Sequence, residues 1–169
     1  MDIALLIVRL IVGLAIAAHG AQKLFGWFGG YGIAGTGGFM ETLGWRPGRL
    51  FALGAGLGEF LGGVLTVLGL GGPIGPALII MVMVAAILAV HLPKGFWSSN
   101  GGYELNSMYV AVAIALAFTG FGAYSLDRAL GWTLLGEPAQ IWITLAIGAL
   151  LGVINNFVRR SAPAHAATT

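Results

Sequence analysis

Glu59 lies inside an apolar run that extends from Phe51 to Leu70. A carboxylate at the centre of a membrane-spanning helix costs roughly 3 kcal/mol or more. It is kept there only when paired, protonated or turned toward a polar cavity. Candidate partners are few. Arg9, His19 and Lys23 fall in or at the end of one apolar run, and His91 falls at the end of another. His19 and Lys23 are four residues apart and share a helix face. Arg9 precedes Lys23 by fourteen residues, nearly four turns, and falls on about the same stripe. Two chemistries fit such a set. One is a buried ion-pair network that fixes helix register. The other is a polar pocket for a small amphipathic ligand, or a proton path, as intramembrane ionisable residues commonly provide.

Side-chain direction supports convergence. Side chains lean toward the N-terminus of their own helix. Lys23 and His19 therefore lean toward the membrane centre from a first helix, and Glu59 leans back toward them from a second. His91, near the end of a third helix, is expected to join them. His19 and His91 could also ligate a haem axially, but nothing else in the sequence supports haem, and neutral histidines more often hydrogen-bond or move protons. A catalytic zinc site normally needs three protein ligands, so no metal is expected.

The elements that must hold these residues are read from composition. Of 169 residues, 58% are hydrophobic and 8% are charged, with a mean hydropathy of +0.93. Soluble domains carry about 25% charged residues. The chain is therefore an integral membrane protein. The net charge of +2 comes from scattered basic residues and gives no nucleic-acid signal. The absence of cysteine excludes thiolate metal sites, iron–sulfur clusters and disulfide relays on this chain.

Five apolar segments stand out, at 3–25, 50–70, 73–92, 107–122 and 139–158. Each approaches the roughly 20 residues that span a bilayer as a helix, the fourth being short. Lipid leaves isolated strands with unpaired backbone, and the runs are too continuous for barrel strands. Gly71, Gly72 and Pro73 mark one turn, Pro93 ends the third helix, and Gly131, Gly136 and Pro138 mark the last connection. Residues 3–25 have no basic leader and are interrupted by Arg9, so they read as a retained helix rather than a signal peptide. The 26–48 connection has no phosphate-loop pattern and reads either as an amphipathic loop or as a short interfacial helix near Thr36–Leu43.

With the N-terminus outside, cytoplasmic segments carry Lys23, Arg46, Arg49, Lys94, Arg159 and Arg160, and outer segments carry Arg128, with Arg9 buried nearby. This asymmetry follows the positive-inside rule. Trp27, Trp45, Trp97, Trp132 and Trp142 fall at segment ends as an aromatic belt. Gly54, Gly58 and Gly62 form one smooth helix face, and Gly148 with Gly152 repeats the device in the last helix, either for packing or for a partner. The stretch HLPKGFWSSNGGYELN, with Tyr103 and Glu104, reads either as a pocket mouth or as interfacial anchors with turn glycines.

Several stretches together resemble the DoxX family of bacterial membrane proteins. They are RLIVGLAIAAHGAQKLFGW with Arg9 and HGxxK, the GLGEFLGG around Glu59, HLPKGFW…NGGYE with His91, and GFGAYSLD after the fourth helix. The resemblance implies a four-helix core at 1–131 in the bacterial cytoplasmic membrane and a relation to DoxD, the membrane subunit of a thiosulfate:quinone oxidoreductase. Two departures are noted: GFGAY stands where a GPG-like turn is expected, and 139–158 adds a fifth transmembrane helix, followed by a cytoplasmic tail at 159–169.

The expectation is an all-α integral membrane protein, a four-helix transmembrane bundle plus a fifth C-terminal helix. Its expected role is a membrane subunit of a quinone-linked redox or oxidative-stress system. In that reading Lys23 and His19 donate hydrogen bonds to a ligand carbonyl, and Glu59 and His91 move protons. Arg9 neutralises charge deeper in the bundle, and Tyr103 and Glu104 line the mouth. No cofactor is encoded, so electrons come from a protein partner or the substrate. A non-catalytic anchor for redox partners, a homo-oligomer, and a small proton-coupled transporter are the alternatives.

Overall fold

A computed structural model describes residues 1–160. The expected tail lies outside the described residues from position 161 onward. The described chain is all α-helical, without a strand. Its helices are α1 (Asp2–Phe25), α2 (Gly32–Thr42), α3 (Gly48–Leu68), α4 (Ile74–Ala86), α5 (Glu104–Thr119), α6 (Leu126–Leu130) and α7 (Pro138–Phe157). A π-helical turn (Ile87–His91) and a 3-10 turn (Leu92–Lys94) prolong α4. α1, α3, prolonged α4 and α7 are long and apolar enough to cross a membrane. α5 has 16 residues, a rise of about 24 Å against a hydrocarbon core of about 30 Å. Its outward side chains include Leu105, Met108 and Phe118. The protein is an integral membrane bundle.

α4 is the hub, packed by α3 on one side and by α5 and α7 on others. Ile79, Ile80, Val82 and Met83 of α4 form the core with Ile16, Ala113, Ala117, Ile141 and Leu145. Ile3, Ile7, Ile11 and Leu14 of α1, and Ile143, Ile147 and Leu150 of α7, face outward as a lipid-facing surface should.

α1 and α3 approach until their backbones touch. A Cβ on Gly20 would overlap the backbone of Phe60, and one on Gly63 would stand 2.5 Å from the Ala17 nitrogen and the Gly13 carbonyl oxygen. Small residues permit this contact, and the dispersion gained is what holds helices together in lipid. The stripe on α3 that meets α1 is thus Gly56 and Gly63. Of the stripe read from sequence, Gly58 and Gly62 meet α4, and Gly54 meets nothing. Gly148 and Gly152 of α7 pack against the α4 backbone at Ala77 and Met81. The small-residue face of the last helix is therefore occupied within the chain.

The end of α7 is clamped. Trp45 Nε1 donates to the Asn155 carbonyl at 2.8 Å, and Arg159 Nε donates to the Leu43 carbonyl at 2.7 Å. The Arg159 guanidinium also lies 5.1 Å from the Trp45 ring centroid, a cation–π geometry. At the opposite end, both carboxylate oxygens of Asp127 accept from the Gly71 and Gly72 amides at 2.8 Å. These contacts put the 43–48 turn and the C-terminal end of α7 on one side of the bundle, and the 71–73 and 121–127 turns on the other.

Candidate functional site: an ion pair beside an interfacial groove

The backbone contact between α1 and α3 carries Lys23, in the last turn of α1, to Glu59, near the middle of α3. Lys23 Nζ lies 2.6 Å from Glu59 Oε2, the only ion pair among the described residues. The Glu59 side chain is 8% exposed and the Lys23 side chain 25%. The pair is sealed on the carboxylate side and open on the ammonium side.

The opening comes from unequal helix lengths. Gly56 of α3 lies against Lys23 and Leu24, so α1 ends well before α3 begins. α2 fills the vacated level by packing on the first turn of α3, where Glu41 Oε1 accepts from the Gly48 amide at 3.0 Å. Between the end of α1 and α2 lies a half-open groove of about 520 Å³. Gln22, Lys23, the Gly29–Tyr31 turn, Gly35, Thr36 and Phe39 line it. The interfacial helix expected near 36–43 exists, but starts at Gly32. The longer helix makes the wall. Sequence reasoning did not assign Gln22, Tyr31, Thr36 or Phe39. The one available signal was that a helix there must have an inward face.

His19 sits beside this arrangement. It is exposed on the bundle surface, and its Nδ1 lies 3.1 Å from Gln22 Oε1. Gln22 Nε2 in turn donates to the Phe28 carbonyl at 3.2 Å. His19 therefore orients Gln22, a groove residue, and does not itself line the groove.

The remaining expected members are elsewhere. Arg9 is buried at the other end of α1, about 21 Å along the helix from Lys23. Its Nη1 donates to the Phe121 carbonyl at 3.0 Å and its Nη2 to the Tyr124 carbonyl. It closes the 121–124 turn over the bundle end and does not reach the carboxylate of Glu59. His91 is also separate. α3 and α4 run antiparallel with Gly58 against Val82 and Met81. In that register His91 lies ten residues beyond the level of Glu59, about 15 Å along the axis. Its Nδ1 is 2.7 Å from the Gly101 carbonyl oxygen, a contact set up by the π-helical turn that ends the helix.

Tyr103 and Glu104 belong to the same closed loop as His91. Glu104 Oε2 accepts from the Ser98 amide at 2.9 Å and its hydroxyl at 2.8 Å. The Tyr103 ring packs edge-on to Phe96, with centroids 5.5 Å apart. Backbone bonds from Tyr103 to Gly95 and from Glu104 to Phe96 tie the strap together. The expected grouping of Arg9, His19, Lys23, Glu59, His91, Tyr103 and Glu104 thus divides into three places, and only Lys23 borders the groove.

The family model described as DoxX matches residues 4–92, more than half of the chain. The chain belongs to the DoxX family. The matched span contains Arg9, His19, Lys23, Glu59, the groove and His91. A relative from Bacillus subtilis (strain 168), "Putative oxidoreductase CatD", is 29% identical over 126 residues, which cover 75% of this chain and 86% of the relative. No solved structure matches the chain.

Proposed function

We propose that this protein is the membrane subunit of a quinone-linked redox or oxidative-stress system, and that the groove between α1 and α2 receives a quinone-like head group. The observation that carries the reading is an ammonium with unspent donors on the wall of a mostly apolar groove. Lys23 has three N–H donors, and one is held by Glu59. The others are available to a ligand carbonyl. The name of the Bacillus relative supports an oxidoreductase association.

In this reading Lys23 polarises a carbonyl oxygen as it gains electrons. Glu59, bonded to the same ammonium, is the neighbouring group through which a compensating proton moves. The electrons come from a partner or from a reduced substrate. The protein lies in the bacterial cytoplasmic membrane with the 26–48 segment, His91 and the end of α7 facing the cytoplasm. The head group then enters from the inner leaflet.

The test is titration of a short-chain naphthoquinone against the protein in nanodiscs. Saturable binding is expected, weakened at least tenfold in Lys23→Met. Lys23→Met combined with Glu59→Gln provides the charge-balanced control, and is expected to bind equally weakly. Absence of saturable binding to folded wild type overturns the reading, and the anchor role, with Lys23–Glu59 as a register lock, replaces it.

A further inference from the structure

We infer that Thr36 is a second ligand-binding residue of the groove, its hydroxyl bonding an acceptor oxygen of the same head group that Lys23 engages. The inference rests on the reading of the groove just given. Threonine in a helix ordinarily spends its hydroxyl on a carbonyl one turn back. Thr66, Thr119 and Thr144 do so, donating to Gly62, Ala115 and Gln140 at 2.8 Å. Thr42 at the end of α2 donates to Phe39 at 2.7 Å. Thr36 is the exception among the helical threonines: its hydroxyl has no hydrogen bond to any described residue. Yet Thr36 is only 9% exposed, and its oxygen is not among the sealed polar atoms that lack a partner. The accessible part of Thr36 lines the groove.

The other polar atoms of the groove narrow the ligand class. The Gln22 amide is engaged at both ends, by His19 and by the Phe28 carbonyl, which fixes its orientation and leaves one N–H. What remains on the walls besides that N–H is an ammonium from α1 and a hydroxyl from α2, with the exposed Tyr31 hydroxyl at the rim, on a mostly apolar lining that includes Phe39. Two donors on opposite walls fit a flat apolar molecule with two acceptor oxygens. A ring diketone has that form, and a simple fatty chain does not. A Cβ on Gly35 would stand 2.6 Å from Tyr31 Cβ, so glycine there leaves room for the Tyr31 side chain at the groove rim.

The experiment uses the full chain in nanodiscs and the same short-chain naphthoquinone. Thr36→Val removes the hydroxyl at nearly constant volume, and Thr36→Ser keeps the hydroxyl and removes the methyl. Thr36→Val is expected to weaken binding about three- to tenfold, the range of one neutral hydrogen bond, and Thr36→Ser to restore it to within about twofold. Thr36→Ala replaces the valine variant if that one does not fold. Binding that is equal in wild type and Thr36→Val overturns the role of Thr36 and leaves the groove reading standing. Equal loss in the valine and serine variants also overturns it, because a variant that keeps the hydroxyl then binds no better than one that lacks it, and the shape of the groove wall accounts for the effect. If folded wild type does not bind the naphthoquinone at all, the groove reading fails and this inference falls with it.

Discussion

Lys23 and Glu59, separated by 36 positions, meet at 2.6 Å because two glycine-lined helix faces touch. The pair joins the last turn of one spanning helix to the middle of another. Its carboxylate is shielded from both lipid and water, so each member requires the other. Removing one charge leaves the second uncompensated, which costs about 3–5 kcal/mol where both groups are sealed. The partial exposure of Lys23 lowers that cost.

Glu59→Gln is therefore expected to lower the melting temperature in detergent, and Lys23→Met to recover part of the loss when added. Arg9→Met added to Glu59→Gln is expected to give no recovery, since Arg9 serves the far end of α1. Recovery by Arg9→Met in place of Lys23→Met contradicts the pairing.

Arg9 makes a different prediction. It is a buried cation whose structural work is done on the Phe121 and Tyr124 carbonyls. Hydrogen bonds from a charged donor are worth about 1.5–3 kcal/mol each. Arg9→Met is expected to cost at least one such increment and to speed amide exchange locally in residues 120–127. Gly69→Ala is expected to act in the same direction. Gly69 has a φ of 62° and its added Cβ would occupy the space of the Arg9 guanidinium. Unchanged exchange in that turn for both variants contradicts the role.

The small-residue stripe of α7 offers a test of packing against assembly. A Cβ on Gly152 would stand 2.5 Å from the Met81 carbonyl oxygen and 2.9 Å from Val84 Cβ. Overpacking of this kind costs about 1–3 kcal/mol. Gly152→Ala should lower thermal stability without changing the oligomeric state in mild detergent. Gly54→Ala, with open space around it, should do neither. A change of oligomeric state for Gly152→Ala at constant stability assigns the stripe to a partner instead.

Much of this architecture is legible in the residues. The apolar runs are long, continuous and punctuated by glycine and proline, so the spanning helices follow from length alone. The Lys23–Glu59 contact follows from side chains that lean toward each other on antiparallel neighbours. Other features leave no local mark. Arg9 is held by two backbone carbonyls, and carbonyls look the same under every side chain. The separation of His91 from Glu59 depends on the register of α4 against α3, an offset set by where Gly58 and Gly62 meet α4. Gly54, Gly58 and Gly62 suggest one face, but Gly56 and Gly63 make the closest approach to α1. The groove was hidden because its second wall is a glycine-rich helix in a segment that also reads as loop.

Topology gives the last prediction. The Arg160 amide donates to the Gly44 carbonyl at 2.8 Å, and Arg159 reaches Leu43. The end of α7 must therefore share a side with the 43–48 turn, together with Arg46 and Arg49. The Asp2 carboxylate accepts from the Ala123 amide at 2.9 Å, which puts the start of α1 with the 121–127 turn on the opposite side. The first side carries most of the basic residues near helix ends, so it is expected in the cytoplasm. Single cysteines can be placed at exposed positions without background, because the chain has none of its own. Ser98→Cys and Arg46→Cys should resist an impermeant thiol reagent in intact cells and react after permeabilisation. Leu130→Cys, exposed in α6, should react in intact cells. Labelling of all three in intact cells is incompatible with a bundle that crosses the membrane. The reverse pattern keeps the bundle but turns it over, and the groove then opens to the outer leaflet.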